Sequence, residues 1–172
     1  LAGLAGELRV EVIGQDHVIA LVAEWVTQGE LGLTNRRKPR GSFMFLGPTG
    51  VGKTQLVKAL ARRLPPGSDH ARFDLSEFQT RESVDVFLGH GTGDEGRFGA
   101  ELARVPRCRV LLFDEFEKAH PQLLDLLLQM LDEGRLTVAS GRTYDLRSLY
   151  IALTSNLGAG AAARMRHKPT TA

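Results

Sequence analysis

An α/β fold, a mainly parallel sheet packed between layers of helices, is what this sequence predicts, and three stretches carry the prediction. Phe43-Met44-Phe45-Leu46 is a short apolar run that enters a glycine-rich turn and then a helical pattern over residues 55–63. Arg109-Val110-Leu111-Leu112-Phe113 is a continuous apolar run closed by Asp114-Glu115, as expected of a parallel strand covered on both faces. Residues 149–153 form a third run and end in Thr154-Ser155-Asn156. Ligands of open parallel sheets lie at the carboxyl ends of the strands. The polar residues that close these runs therefore fall along one rim.

Composition sets the bounds. The 172 residues suffice for one domain with a real core, at 42% hydrophobic and 24% charged residues. A net charge of +2 is too small to argue for nucleic acid. The longest apolar stretch, residues 123–131, is broken by Asp125 and Gln129 and is too short to cross a bilayer. Cys108 is the single cysteine, which excludes an intrachain disulfide, and no secretory signal is visible. A reducing cytoplasm is the expected compartment. The first residue is Leu, so a piece of a longer protein is expected.

In chain order, Val18, Leu21, Val22, Trp25 and Val26 fall at helical spacing and predict a helix with Trp25 in its buried stripe. Arg36-Arg37-Lys38-Pro39-Arg40 is basic and proline-broken, hence a solvated loop rather than a nucleic-acid contact. After the helix over 55–63, Pro65-Pro66-Gly67 is a stop. Residues 71–75 read as a short strand, with Ser76 as a helix cap. Gly89, Gly91, Gly93, Gly96 and Gly99 predict a flexible, exposed loop, followed by a short helix through Leu102. His120-Pro121 opens a helix over 122–132 with leucines nearly all round, and Gly134 stops it. Residues 136–138 and 142–144 flank Ala139-Ser140-Gly141 as a hairpin. One domain is expected over 1–160, and 161–172 as a flexible basic tail.

The chemistry concentrates in Gly47-Pro48-Thr49-Gly50-Val51-Gly52-Lys53-Thr54. This is G-x-x-x-x-G-K-[ST] between a strand and a helix start, a context in which it reads as a phosphate cradle. Its four fixed positions recur by chance in roughly one per cent or fewer of chains this long. Glycines let successive N–H groups converge, and the helix N-terminus adds partial positive charge. The cradle, for ATP or ADP, runs from Gly47 through Gln55, with Lys53 on the β-phosphate and, in ATP, the γ-phosphate, and with Thr54 on Mg²⁺. Asp114 is the second Mg²⁺ holder, or else a cap for the next helix, and Glu115 positions and polarises the attacking water. Asn156 reaches the same rim as a hydrogen-bond partner for the γ-phosphate or the water, or is a polar turn residue. The five histidines are scattered, and no metal-ligand spacing, nucleophile elbow or repeat is present.

Further stretches extend the match. They are Val12-Ile13-Gly14-Gln15-Asp16, Phe73-Asp74-Leu75-Ser76-Glu77, Leu112 to Glu115 and Glu117-Lys118-Ala119-His120-Pro121. Then come Leu131-Asp132-Glu133-Gly134-Arg135-Leu136-Thr137, Gly141-Arg142-Thr143 and Thr154-Ser155-Asn156-Leu157-Gly158. With the phosphate loop these make the sequence resemble the AAA+ ATPases of the Clp chaperone family, in particular their second, C-terminal nucleotide-binding module. The likeness covers residues 10 to 160, and the Glu-Lys-Ala-His-Pro and Asp-Glu-Gly-Arg-Leu-Thr runs are its specific parts.

The resemblance implies a P-loop NTPase core of three α/β/α layers with strand order 5-1-4-3-2, the fifth strand lying outside this chain. It implies Mg-dependent ATP hydrolysis in a homo-oligomeric ring, a hexamer in the full-length protein, that pulls a protein substrate through its pore. Val12 and Ile13 then line the adenine pocket, Asn156 senses the γ-phosphate, and residues 134–142 form a second pore loop. Those modules carry a glycine–aromatic–aliphatic–glycine pore loop where this chain has His90-Gly91-Thr92-Gly93-Asp94-Glu95-Gly96-Arg97-Phe98. The gripping aromatic is missing from its usual place, which puts threading in doubt; Phe98 as a displaced substitute is the less favoured alternative. The family's arginine finger and helical lid come later than Asn156. A finger is worth roughly 10³–10⁵ in turnover, so slow hydrolysis is expected of the chain alone. Two other classes stay open: a nucleotide-gated assembly module without threading, and a clamp- or helicase-loader-type remodeller of nucleic acid. The Clp-type runs speak against the second, and no membrane contact is implied.

Overall fold

A computed structural model describes residues 3–12, 16–65 and 68–157. Ile13 to Gln15, Pro66-Gly67, Gly158 and the expected tail over 161–172 lie outside the described residues. Four strands form one parallel sheet: β1 (Gly41–Leu46), β2 (Asp69–Asp74), β3 (Cys108–Asp114) and β6 (Tyr150–Ser155), in the order β1-β6-β3-β2. Leaving out the hairpin β4 (Arg135–Thr137) and β5 (Thr143–Asp145), this is the expected 1-4-3-2 arrangement with β1 at the edge. Alternation along the central strands splits the core in two. Val110, Leu112, Tyr150 and Ala152 face α1 (Leu4–Glu11), α2 (Asp16–Glu30) and α3 (Lys53–Arg63). Leu111, Phe113, Ile151 and Leu153 face α4 (Arg81–Leu88), α5 (Gly96–Arg104), α6 (Pro121–Glu133) and the hairpin. Every residue of β6 is buried, which is why the run reads as unbroken apolar sequence.

The structure corrects the stripe on α2. Ile19, Val22, Ala23, Val26 and Gly29 face the sheet, whereas Leu21 and Trp25 are each 55% exposed. The reason is closeness of approach. A Cβ at Gly29 would stand 2.6 Å from the Tyr150 hydroxyl, which donates to Val26 O at 3.1 Å and to Glu30 at 3.0 Å. At Gly29 the inner face has no room for a side chain, and Leu21 and Trp25 turn outward beside β1.

Two caps also differ from expectation. Asp74, not Ser76, closes the turn after β2, accepting from Ser76 N at 3.1 Å, and α4 is opened by a capping box between Thr80 and Ser83. The glycine-rich segment is exposed at its tip, as expected at His90, Thr92, Gly93 and Asp94, and it is folded back on itself by side-chain bonds. The Asp94 carboxylate accepts from His90 N and Gly96 N, both at 2.9 Å. Phe98 is fully buried, stacked on Phe73 at 5.4 Å, with the rings of Phe87 and Tyr144 at 5.6 and 5.3 Å. An aromatic so placed grips nothing outside the core, which removes it as the displaced pore-loop residue.

Candidate functional site

The phosphate loop begins where β1 ends. Gly47 N donates to Ser155 O at 3.2 Å, tying the loop to the end of β6. Gly50 and Gly52 have φ of 84° and 90°, a left-handed backbone that glycine adopts freely. Gly52 caps α3 without any side-chain bond, so the first-turn N–H groups of Lys53, Thr54 and Gln55 have no capping side chain in front of them. They border a cleft of about 350 Å³ lined also by Thr49, Arg72, Asp114, Glu115, Thr154 and Asn156.

The expected residues meet there. The Lys53 ammonium donates to Gly47 O at 2.6 Å, Pro48 O at 2.8 Å and Asn156 Oδ1 at 3.1 Å. Thr49 Oγ1 donates to the same Asn156 oxygen at 3.3 Å. Thr54 Oγ1 lies 3.1 and 3.2 Å from the two Asp114 oxygens, and Thr154 Oγ1 also donates to Asp114 Oδ1. Asp114 is nearly buried and makes no cap for a following helix. Glu115 has φ 56° and ψ 44°, a left-handed conformation unusual for a side chain this large and frequent at functional sites. Its Oε2 pairs with Lys118 Nζ at 2.6 Å, a contact that raises the Lys118 pKa. Asn156 is held from behind, its N–H donating to Glu117 Oε1 at 3.0 Å. Burial pushes the Glu117 carboxyl up, and hydrogen bonds from its own and the Asn156 N–H outweigh that and lower it.

The remaining cradle residues divide. Gly47, Pro48 and Val51 line a separate apolar groove of about 650 Å³ between β1 and α2, with Gly52 and Lys53 shared between groove and cleft. The Gln55 amide donates to Glu11 O at 3.0 Å. Val12 is buried, its Cγ1 3.6 Å from where a Cβ on Gly52 would stand, so it abuts the loop, while Ile13 lies outside the described residues. Sequence reasoning missed Arg72, which donates twice to Asp114 Oδ2, from Nε at 3.1 Å and Nη2 at 2.8 Å. The signal was there: Arg72 is a charged residue inside a short strand, two residues from its end.

The Thr54 hydroxyl and Asp114 carboxylate are hard oxygen donors that suit Mg²⁺ when phosphate and water complete its shell. Among the described residues no group of three His, Cys, Asp or Glu holds a metal by itself. No helix among them is long and apolar enough to cross a membrane.

Comparison with known proteins agrees with this geometry. A family model described as AAA domain (Cdc48 subfamily) matches residues 38–171. The chain is 46% identical to the chaperone protein ClpB of Lactiplantibacillus plantarum over 92% of its own length and 19% of that protein. It is 46% identical to ClpB of Tropheryma whipplei strain TW08/27 over 100% of the chain and 25% of that protein. Against ClpB of Aquifex aeolicus the identity is again 46%, over 92% of the chain and 16% of the relative. The chain thus spans a quarter or less of the length of these relatives. A strand-loop-helix cradle closed by an acidic strand end, together with a family match over most of the chain, places this protein in the AAA domain family, Cdc48 subfamily.

Proposed function

We propose that this chain binds ATP and hydrolyses it with Mg²⁺, as the motor module of a Clp-type, ring-forming protein remodeller. The observation that carries the reading is the convergence of Lys53, Thr54, Asp114 and Asn156 on one cleft at the strand ends. In it Lys53 exchanges the carbonyls of Gly47 and Pro48 for the β- and γ-phosphates, and the loop N–H groups from Gly50 to Thr54 close around them. Thr54 and Asp114 hold Mg²⁺, which neutralises charge on the phosphates when bound with the nucleotide. Glu115 releases Lys118 to orient the attacking water, and Asn156 bonds the γ-phosphate or that water from the far side. Val12 and Ile13 flank the adenine, and Gln55 holds Val12's neighbour Glu11 in place. The ring is a homo-hexamer, this chain supplies its C-terminal module, and the working compartment is the cytoplasm.

Threading finds less support. The tip around His90 to Gly93 carries no aromatic, and Phe98 is core. That favours a second reading, a nucleotide-gated assembly module in which ATP holds subunits together.

Calorimetry with ATP and ADP on the wild type and Lys53→Ala tests the site. Micromolar binding lost at least ~30-fold in the variant is expected, from the loss of a charge-assisted contact of ~2 kcal/mol or more. Equal affinity for both proteins would remove the nucleotide reading. Glu115→Gln separates engine from scaffold: an engine traps ATP and stops, whereas a scaffold assembles and works as before.

A further inference from the structure

Asp114, assigned above to Mg²⁺, is already engaged by a cation of the protein itself. β2 and β3 run in register, with Asp74 opposite Asp114 and Arg72 opposite Leu112. The Arg72 side chain extends along this edge to Asp114 and places two N–H groups on Oδ2. Thr154 donates to Oδ1, and the Thr54 hydroxyl lies between the two oxygens. The carboxylate side chain is 10% exposed and the guanidinium 44%. A carboxylate so nearly buried is unfavourable without a positive partner. Lys53 gives it none, since that ammonium lies on two carbonyls and an amide oxygen. Among the described residues, Arg72 is the cation in contact with Asp114. It also borders the cleft itself.

We propose that Arg72 is the resident counter-ion of Asp114, a positioning residue that stands in for Mg²⁺ and allows the cleft to accept nucleotide that arrives without metal. The proposal rests on the reading of the cleft as a Mg–nucleotide site. Without Arg72 the carboxylate faces the polyphosphate uncompensated, and like charges a few ångströms apart in a half-buried cleft repel strongly. When magnesium accompanies the nucleotide, the ion supplies the compensation and Arg72 matters little. The reciprocal holds for the empty protein, where Arg72 opposes a divalent ion at Thr54 and Asp114.

The test is calorimetry of ATP in excess EDTA and of ATP in excess Mg²⁺, on the wild type, Arg72→Met and Arg72→Lys, with Mn²⁺ binding without nucleotide followed by electron paramagnetic resonance. Arg72→Met is expected to weaken metal-free ATP at least ~10-fold while Mg–ATP changes less than ~3-fold. Mn²⁺ alone is expected to bind Arg72→Met more tightly than the wild type, and Arg72→Lys to restore metal-free ATP in part. Arg72→Gln, which keeps a hydrogen bond without the charge, replaces Arg72→Met should the latter fail to melt cooperatively. Equal weakening of both forms of ATP, or Mn²⁺ binding unaltered by loss of the charge, overturns the assignment and leaves the nucleotide site standing. A wild-type chain that binds neither form overturns the nucleotide reading and this proposal with it.

Discussion

Cys108 begins β3 with its thiol half-buried, and burial pushes its pKa up from an ordinary 9.0 to about 11. The protonated thiol is the folded form up to that value, so the thiolate that reacts is scarce at neutral pH. Ellman's reagent is expected to modify Cys108 slowly in the native chain at pH 8 and rapidly in guanidinium, with the native rate rising only as pH approaches 11. The same shift predicts stability that falls as pH rises from about 9 towards 11, because the unfolded thiol releases its proton first. A native rate at pH 8 equal to that of the unfolded chain would contradict this burial. The cysteine count was legible in sequence, whereas this reactivity follows from where β3 begins against its neighbours.

Between α4 and α5, the glycine-rich element is specified by two backbone approaches. Gly96 has φ 62°, and a Cβ there would stand 2.3 Å from Gly89 N and 2.5 Å from Phe87 O. Gly89 has φ 89°, and its added Cβ would lie 2.2 Å from Asp94 O. Gly96→Ala is therefore expected to lower stability by ~1–3 kcal/mol or more, since a strained φ adds to a backbone clash. Urea unfolding checks this, and Gly93→Ala, strained in φ but with open space around it, should cost less. Glu95 locks the element to the hairpin, accepting from Arg142 Nη1 at 2.6 Å and from the Tyr144 hydroxyl. Glycine density by itself reads as mobility. What adds order to the element is Asp94, bonded within the segment, and Glu95 and Phe98, bonded or packed across distances that no local pattern encodes.

On the scale of the whole molecule, the two half-cores meet the proposed nucleotide cleft through β3 and β6, the buried centre of the sheet. A ligand held at their carboxyl ends should stabilise the entire chain. At ~100 times its Kd, ATP with Mg²⁺ adds ~2.7 kcal/mol, and a domain of this size gains ~2–4 °C per kcal/mol. A rise in Tm of ~5–10 °C is expected for the wild type and none for Lys53→Ala. An equal rise in both would place the ligand elsewhere than on Lys53.

The strands, the loop between β1 and α3, the acidic end of β3 and Asn156 at the end of β6 were all legible, because each is written in contiguous residues with a local physical cause. Buried parallel strands read as apolar runs, and a phosphate loop must carry its glycines and lysine at fixed spacing. The sequence by itself therefore determined the fold class and the rim on which Lys53, Thr54, Asp114 and Asn156 meet. Only the tertiary structure decided that Trp25 turns outward, that Phe98 is core and that Arg72 sits on Asp114. Each of those depends on which side chain comes near across the sheet or between layers, through the hydroxyl of Tyr150, the ring of Phe73 or the register of β2 on β3. Such proximities are properties of packing, and helical or strand periodicity carries no record of them.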